Sequence, residues 1–490
     1  MADISFNTIP ATLMTPGVYI EVDGSKAFRG LPVPVRKAVI IGQRLASGTA
    51  PINTPVRVDS ADLGKGLAGA GSILANMIST YKANDSATEL WMVAVNDLVS
   101  GSKASWTFTV ATQPTANGSL PLYIGGESYP IPVQSGASVA SIATAIAAAI
   151  NADLDLPATA SSAAGVVTIT CDHKGTIGNA LDIRVGYEQE DVVPAGLTYT
   201  IAVANAGTGV PDITAALAAL GDQPFASIVH CFTDSTNLST LEAWLSTRFD
   251  GLHQNDGLGF TASVDVLGNL ETLASSRNSP FTVIGGIRAL PSPPWKLAAA
   301  TAAQVHASVS TDPARPFTGL VLTGIVAPAP ADRMLRQERE YLLEDGGSTY
   351  TVDDSGNVCI ERMVTSYTTI AQGFADPTFR DVTTMTNLAY LRWSRRYMLA
   401  TTFPRYKLGN DGTNYNPGQK IATPSSIKAA IVAQYKNWIG AGLIEDDLPT
   451  YKAALVVQRS TTDLNTVLTI DSPNLINQFL VLENQLQFVL

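Results

Sequence analysis

Short apolar runs alternate with longer amphipathic stretches in two separate parts of the chain. A short apolar run is typical of a parallel strand that is buried on both faces, and apolar spacings of three and four indicate helices. The predicted strands are Ala38–Gly42, Leu90–Val95, Ala226–Phe232, Gly259–Val264 and Phe281–Ile287. The predicted helices are Ser60–Tyr81, Asp212–Leu220, Ser239–Phe249, Leu267–Arg277 and Pro293–Val309. Such an alternation predicts an α/β fold with a doubly wound parallel sheet.

The alternation stops between residues 101 and 203. This stretch contains short strands separated by Gly, Pro and Asn, and an Ala-rich helix at Val139–Asn151. Its predicted strands are Trp106–Val110, Leu120–Gly125, Ser128–Val133, Val166–Cys171, Leu181–Tyr187 and Leu197–Val203. Since the stretch is long enough for a small core of its own, we expect an α+β domain inserted into the α/β core.

Beyond residue 311 the pattern is less regular and predicts an α+β C-terminal domain. Turn-forming residues at Asp354–Asn357 separate two strand-like segments, Thr349–Asp353 and Val358–Thr365, and so indicate a hairpin. The other predicted elements are the helices Met334–Leu343, Asp381–Thr402 and Ser426–Ala441 and the strands Leu455–Arg459 and Thr466–Asp471.

Both ends of the chain alternate between apolar and polar residues in the manner of strands. Near the start, Val18–Val22 predicts a strand that ends at Gly24. At the end, Gln478–Leu490 has apolar residues at the even-numbered positions from 480 to 490 except Asn484. The C-terminal segment fits two interpretations: an edge strand on its own domain, or a strand donated to the sheet of a neighbouring chain.

Composition limits the possible functions of the 490 residues. Lys and Arg number 31 and Asp and Glu 42, a net charge of −11, and only 15% of residues are charged. The acidic balance argues against nucleic-acid binding, because phosphates are neutralised by clustered cations. So low a charge content fits a surface that faces other protein, or the Ser/Thr/Asn-rich surface of a large enzyme. The sequence shows no secretory signal and no apolar window of membrane-spanning length, so we expect a soluble protein that inserts into no membrane.

The residues that usually ligate metals are few and scattered. Cys171, Cys231 and Cys359 match no zinc motif, and the four histidines form no close pair. We therefore expect neither a metal nor a cofactor.

Candidate catalytic groups are also weak. His230, Asp234 and Ser235 lie together at the end of a predicted strand, but residues so close on one turn do not make a catalytic triad. The chain has no G-x-S-x-G elbow, Gly64–Gly66 lacks the spacing of a phosphate loop, and Gly285-Gly286 is not followed by a dinucleotide fingerprint. We therefore expect no catalytic residues and no enzyme activity.

Two segments resemble a known family. The opening Thr15-Pro16-Gly17-Val18-Tyr19-Ile20-Glu21 resembles that of contractile tail sheath proteins. The turn Cys171–Asn179, followed by Leu181–Val185, resembles sheath proteins of Mu-like phages. The resemblance extends over most of the chain in domain order and length, and the PGVYIE opening is its most specific part.

The resemblance implies a modular subunit with a subtilisin-like middle domain, an outward-facing insertion, a C-terminal domain near the tail tube, and N- and C-terminal arms that exchange strands between subunits. The domain ranges expected on this basis are 1–24 for the N-terminal arm, 25–100 and 204–345 for the core, 101–203 for the insertion, 346–470 for the C-terminal domain and 471–490 for the C-terminal arm.

The resemblance also implies roles for particular residues. The N-arm strand would be Val18, Tyr19, Ile20, Glu21 and Val22, and the C-arm strand would include Phe479, Leu480, Val481, Leu482, Leu486, Phe488 and Leu490. Gly24, Gly30 and Pro473 would serve as hinges, because Gly permits unusual dihedral angles and Pro fixes its own. Lys428 and Lys436, eight residues apart on one predicted helix, would face acidic residues of the tube.

The function implied is that of a structural sheath subunit that polymerises around the tail tube and contracts to drive it through the host envelope for genome ejection. The implied partners are copies of the chain in stacked hexameric rings, the tube protein, and baseplate and tail terminator proteins, in a virion tail assembled in the host cytoplasm. The alternatives are the sheath of a headless contractile particle, an α/β hydrolase, and a binding module that never polymerises.

Overall fold

The computed structural model describes residues 14–20, 34–413, 415, 416 and 418–488. The described residues form two compact units. The first contains residues 35–391 and 475–488, and the second contains residues 14–20, 34 and 392–474.

A six-stranded sheet forms the centre of the first unit. Before residue 101 the unit contains β1 (Lys37–Gln43), β2 (Pro55–Val58), α1 (Ala61–Ala68), α2 (Ile73–Asn84) and β3 (Glu89–Val95). The elements between residues 101 and 205 are β4 (Lys103–Val110), β5 (Gly118–Ile124), β6 (Glu127–Val133), α3 (Val139–Ala152), β7 (Ala158–Ala163), β8 (Val166–Lys174), β9 (Ile183–Val185) and β10 (Tyr199–Asn205). The sheet is completed after residue 205 by α4 (Thr214–Ala219), β11 (Phe225–His230), α5 (Ser235–Phe249), β12 (Leu258–Val264), α6 (Leu267–Ser275), β13 (Thr282–Ile287) and α7 (Pro294–Thr311).

The strand order of this sheet is β13-β12-β11-β1-β3-β2. Neighbouring strands are parallel except for β2, which runs antiparallel to β3. The chain adds strands on one side of β1 before residue 101 and on the other side after residue 205. All five predicted strands are present, and their almost complete burial explains why they are apolar along their whole length.

Two groups of helices pack against the sheet. Helices α2 and α7 contact each other, and between them they contact β1, β11 and β12. Helices α4 and α5 also contact each other, α4 contacting β3 and α5 contacting β12. Most residues of α7, including Trp295, are buried, so this helix is at the centre of the core.

The single helix predicted for Ser60–Tyr81 is wrong, because two helices occupy this segment. The chain turns at Gly69 and Gly71, whose φ angles are +88° and +76°, a region that residues with a Cβ atom rarely adopt. A Cβ atom at Gly71 would lie 2.9 Å from the Leu156 carbonyl oxygen. The side chain of Ser72 then caps α2 by accepting a hydrogen bond from the Ala75 amide.

The segment between β3 and α4 contains two antiparallel sheets and one helix. One sheet has the order β10-β4-β8-β7 and the other β6-β5-β9, and α3 packs against β4, β6, β7 and β8. The predicted mixture of short strands with one Ala-rich helix is therefore confirmed.

The first unit also includes α8 (Arg336–Glu344) and the hairpin of β14 (Thr349–Val352) and β15 (Val358–Arg362). The Asp353 carboxylate holds the hairpin turn by accepting hydrogen bonds from the Ser355 and Asn357 amides.

Helix α9 (Val382–Thr402) is followed by the short strands β16 (Lys407–Leu408) and β17 (Ile421–Ala422), by α10 (Pro424–Gly440) and α11 (Leu448–Ala454), and by the hairpin of β18 (Val456–Arg459) and β19 (Val467–Ile470). Within the second unit, the buried Trp438 donates a hydrogen bond to Ser394, and the ring of Tyr435 stacks on that of Tyr451. None of the described helices combines the length and apolar character needed to cross a membrane.

Candidate assembly surfaces

The predicted N-arm strand is described only in part. Residues 14–20 form no strand and are exposed, with Val18 at 91% and Ile20 at 83% of full exposure. Glu21, Val22 and the proposed hinges Gly24 and Gly30 lie outside the described residues. Among the described residues, nothing covers the apolar side chains of Val18 and Ile20.

The predicted C-arm is exposed as well. Residues 479–488 belong to no strand. Phe479, Val481, Leu482, Leu486 and Phe488 are between 73% and 85% exposed, whereas Leu480 is 36% exposed. Leu490 lies outside the described residues. Over the described part, the arm does not dock as an edge strand on its own domain, so its apolar side chains remain in water.

In the part of the chain that the structure describes, the hairpin of β18 and β19 is a two-stranded sheet. The pairing runs from Val456 opposite Ile470 to Arg459 opposite Val467. Val456, Leu468 and Ile470 are exposed. An isolated two-stranded hairpin is marginally stable, and its edges offer backbone groups to a further strand. Among the described residues, no further strand pairs with either edge of this hairpin.

Helix α10 places the two predicted tube-facing lysines in different surroundings. The Lys428 ammonium is partly buried and donates a hydrogen bond of 2.8 Å to the Leu455 carbonyl oxygen. Lys436 is exposed, as are Ser426, Ala429 and Ala433 on the preceding turns. The exposed face is therefore formed mainly by small residues and has Lys436 near its C-terminal end.

Charge is unevenly divided along the chain. Residues 392–474 contain ten Lys and Arg against six Asp and Glu, a net charge of +4. The remaining residues contain 21 against 36, a net charge of −15. The segment from 392 to 474 is thus a basic part of an acidic protein.

The predicted hinge Pro473 lies between two residues that are held in the second unit. Asp471 forms an ion pair of 2.6 Å with Arg395. The Asn474 carbonyl oxygen accepts a hydrogen bond from the Glu445 amide, and its side chain donates one to the Glu445 carboxylate. These contacts leave little freedom at Pro473 in the single chain.

The strand-end group of His230, Asp234 and Ser235 is not arranged for catalysis. His230 is fully buried and neither of its ring nitrogens has a hydrogen-bond partner. Asp234 instead caps α5, accepting hydrogen bonds from the amide and the side chain of Asn237. In the described part of the chain, no group of three or more His, Cys, Asp or Glu residues could hold a metal ion.

Burial lowers the pKa of both His230 and His306 to about 4. The unfolded chain therefore binds protons at these positions below about pH 6.5, whereas the folded chain stays neutral there until about pH 4. We expect each histidine to cost about 3 kcal/mol of stability as the pH falls through this window. Thermal unfolding from pH 7 to 4.5 tests this: His306→Leu should flatten the pH dependence relative to wild type. An equally steep loss in the variant would contradict the assignment.

Sequence analysis missed one polar cluster, at the junction of β1, β3 and β8. The Asp97 carboxylate accepts hydrogen bonds from Gln43 Nε2 at 2.6 Å, His173 Nδ1 at 2.8 Å and the Lys174 amide at 2.8 Å. Burial acts to raise the pKa of Asp97, but the hydrogen bonds from His173, Lys174 and Gln43 outweigh it and hold the pKa below its usual value. His173 Nε2 accepts a hydrogen bond from the Ile73 amide at the start of α2, so the ring proton is on Nδ1.

Asp97 and His173 thereby join the inserted segment to the end of the parallel sheet and to α2. His173 lies in the turn Cys171–Asn179, which contributed to the family resemblance. Nothing in that turn indicated that His173 contacts Asp97.

Comparisons with known proteins identify the family. Residues 206–366 match the central domain of phage tail sheath proteins, and residues 375–488 match the phage tail sheath C-terminal domain. The chain is 36% identical over 487 residues to the Mu-like prophage FluMu tail sheath protein of Haemophilus influenzae, covering 99% of this chain and 100% of that protein.

Solved structures with this fold include a sheath tail protein of Listeria innocua, with a TM-score of 0.50, 13% identity, and coverage of 92% of this chain and 94% of that one. A chain of the anti-feeding prophage baseplate in its contracted state also has a TM-score of 0.50, with 10% identity and coverage of 97% and 99%. These two likenesses concern the fold alone.

Tail sheath proteins are structural parts of the virion tail and not enzymes, so the expectation of no enzyme activity is confirmed. With two sheath domains matched over more than half of its length and a full-length relative of 36% identity, this chain belongs to the phage tail sheath family and is a structural sheath protein of the Mu-like type.

Proposed function

We propose that the chain polymerises into a helical sheath by donating its C-terminal arm, and its N-terminal arm with it, to the sheets of neighbouring copies. The observation that supports this most is the exposure of five apolar side chains along residues 479–488. In water such a segment has an unfavourable hydration free energy, which pairing on a neighbouring sheet removes.

The hairpin of β18 and β19 is the acceptor that this proposal assigns in the neighbouring copy. A strand added along a four-residue edge gains about four backbone hydrogen bonds, a net of ~2–6 kcal/mol. Burial of the apolar arm residues against Val456, Leu468 or Ile470 adds to this, at about 25 cal/mol per Å². One such link per subunit is enough to hold a continuous mesh when every subunit makes it.

For the fold, we propose that the parallel sheet is doubly wound in the subtilisin-like manner. Chain reversal at β1, with strands added on either side of it, supports this. So does the separation of the helices into one group with α2 and α7 and another with α4 and α5. The six domain ranges expected from the sequence stay predictions, as do the assigned arm and hinge residues.

The sheath would contract without chemical fuel. Folded domains would move as rigid bodies and bury new surface between copies while the exchanged strands stay joined. A gain of a few kcal/mol per subunit, repeated over many copies, would drive the tube through the host envelope for genome ejection. The proposed partners are copies in stacked hexameric rings, the tube, and baseplate and tail terminator proteins, assembled in the host cytoplasm.

The basic C-terminal segment supports contact with an acidic tube. Because Lys428 is bonded to its own chain, the proposal places the tube contact at the exposed Lys436. The small residues beside it would let a partner approach the helix closely.

We expect Lys436→Glu to reduce the amount of sheath formed on tubes at physiological salt at least five-fold, because the new carboxylate faces like charge. Raising the salt concentration should restore part of the loss, since screening weakens repulsion. Sedimentation of tube-bound sheath measures both effects. Lys452→Glu is the matched control, being an exposed lysine of α11 in the same unit. Equal losses in both variants would contradict a local contact at Lys436.

Polymerisation itself is tested by electron microscopy of the purified chain. The proposal predicts long cylinders of uniform width, with tube or without it. A chain that stays monomeric at every concentration and in the presence of tube would overturn the proposed function.

A further inference from the structure

The C-terminal arm becomes more exposed along residues 475–482. Leu475 and Gln478 are half-buried, Ile476 and Leu480 are 39% and 36% exposed, and Phe479 and Leu482 are 77% and 75% exposed. The change coincides with a side-chain contact: the Thr383 hydroxyl donates a hydrogen bond of 3.2 Å to Gln478 Oε1. Thr383 lies in the first turn of α9, and both residues belong to the first unit.

The contact is electrostatically favourable. The first turn of a helix has amide groups without intrahelical partners and a partial positive charge, so it prefers an acceptor such as an amide oxygen. A small cavity of about 180 Å³ lies between this turn and the arm, lined by Asp381, Thr383 and Thr384 on one side and by Leu475, Gln478 and Leu480 on the other. The arm therefore lies along the start of α9 as far as Leu480, and its side chains are mostly solvent-exposed beyond it.

We propose that the start of α9 is a docking site for the root of the C-terminal arm, with Thr383 positioning Gln478, the last described arm residue whose side chain is hydrogen-bonded to the rest of its own chain. The arm then pivots after Leu480 and not at Pro473. Its role in assembly rests on the proposed strand exchange: a fixed root limits the directions in which residues 481–490 can leave the subunit and so shortens the search for the neighbouring hairpin.

Limited chymotrypsin digestion of the full-length monomer tests the docking site without requiring polymerisation. Chymotrypsin cleaves after Phe and Leu, so the arm offers Phe479, Leu482, Leu486 and Phe488 as free sites and Leu475 as a held one. Mass spectrometry should find rapid cleavage after Leu486 and at least ten-fold slower cleavage after Leu475. Cleavage at equal rates would overturn the proposal.

Two variants test the assigned contact. Thr383→Val keeps the shape of the side chain but removes the donor, and Gln478→Met removes the acceptor at similar size. Each should raise cleavage after Leu475 about five-fold, the effect of losing one hydrogen bond. Gln485→Met makes the same change in the free arm and should leave the rate at Leu475 unchanged. An unchanged rate in both test variants would refute the role of Thr383.

The two proposals fail separately. If the digestion pattern is as expected but the chain forms no sheaths, strand exchange is wrong and the docked root stands. If sheaths form but Leu475 is cleaved freely in the monomer, the docked root is wrong and strand exchange stands.

Discussion

A chain that ends at Leu480 stays folded but forms no sheath. The side chains removed with residues 481–488 make almost no contact within the chain, so the melting temperature of the monomer should change by no more than ~1 °C. Assembly should fall below detection, because each subunit loses the strand that links it to a neighbour. Differential scanning fluorimetry measures the first quantity, and electron microscopy with sedimentation measures the second.

A matched pair of variants tests whether assembly depends on the apolar face of the arm, with the length of the arm kept constant. Leu482, Leu486 and Phe488 share one face of the predicted strand, and Glu483, Gln485 and Gln487 share the other. Changing the first three to Ser should abolish assembly, whereas changing the second three to Ser should preserve it.

For the chain that ends at Leu480, formation of long cylinders would show that the C-terminal arm does not link the subunits.

Asp97→Ala should strongly destabilise the folded chain although Asp97 lies outside the apolar core. The substitution removes the acceptor of three hydrogen bonds and leaves the donors at Gln43, His173 and Lys174 without it. A buried donor without a partner costs about 1–3 kcal/mol, and partial access to water reduces the total, so we expect a loss of about 3–5 kcal/mol. Chemical denaturation of the monomer measures it.

Asp59→Ala is the control for this prediction. Asp59 also pairs with a cation, Arg57, but both side chains are exposed, and such pairs contribute less than ~1 kcal/mol. If the two variants lose the same stability, the Asp97 cluster does not hold the inserted segment on the core.

The parallel sheet could be predicted well from the sequence because strands buried on both faces are apolar along their whole length. Ala38–Ile41 and Leu90–Val95 contain no polar residue, and apolar runs this short, bounded by turn residues, favour a buried strand over a helix. The division between α1 and α2 was missed for the opposite reason. Gly69 and Gly71 lie in an apolar window with helical spacing, yet both have positive φ angles. Gly71 packs against the backbone of Leu156, over 80 residues away, and Gly69 packs against the backbone of Gly48.

The candidate assembly surfaces also depend on contacts between distant residues, which the sequence pattern does not reveal. The alternation at residues 478–490 indicated a strand, and the absence of a covering surface for residues 479–488 is visible only in the fold. The spacing of Lys428 and Lys436 placed both on neighbouring parts of one helix, but it could not show that Leu455 holds Lys428. Contacts between residues far apart in sequence, such as Asp97 with His173, have no local signature at all.

A density map of the assembled sheath that traces residues 479–488 is the most direct measurement. Strand exchange predicts these residues as a strand hydrogen-bonded along β18 or β19 of another copy, with Leu482, Leu486 and Phe488 covered. A map in which the segment pairs within its own subunit, or in which neighbouring copies contact each other while the arm stays unpaired in solvent, would contradict it.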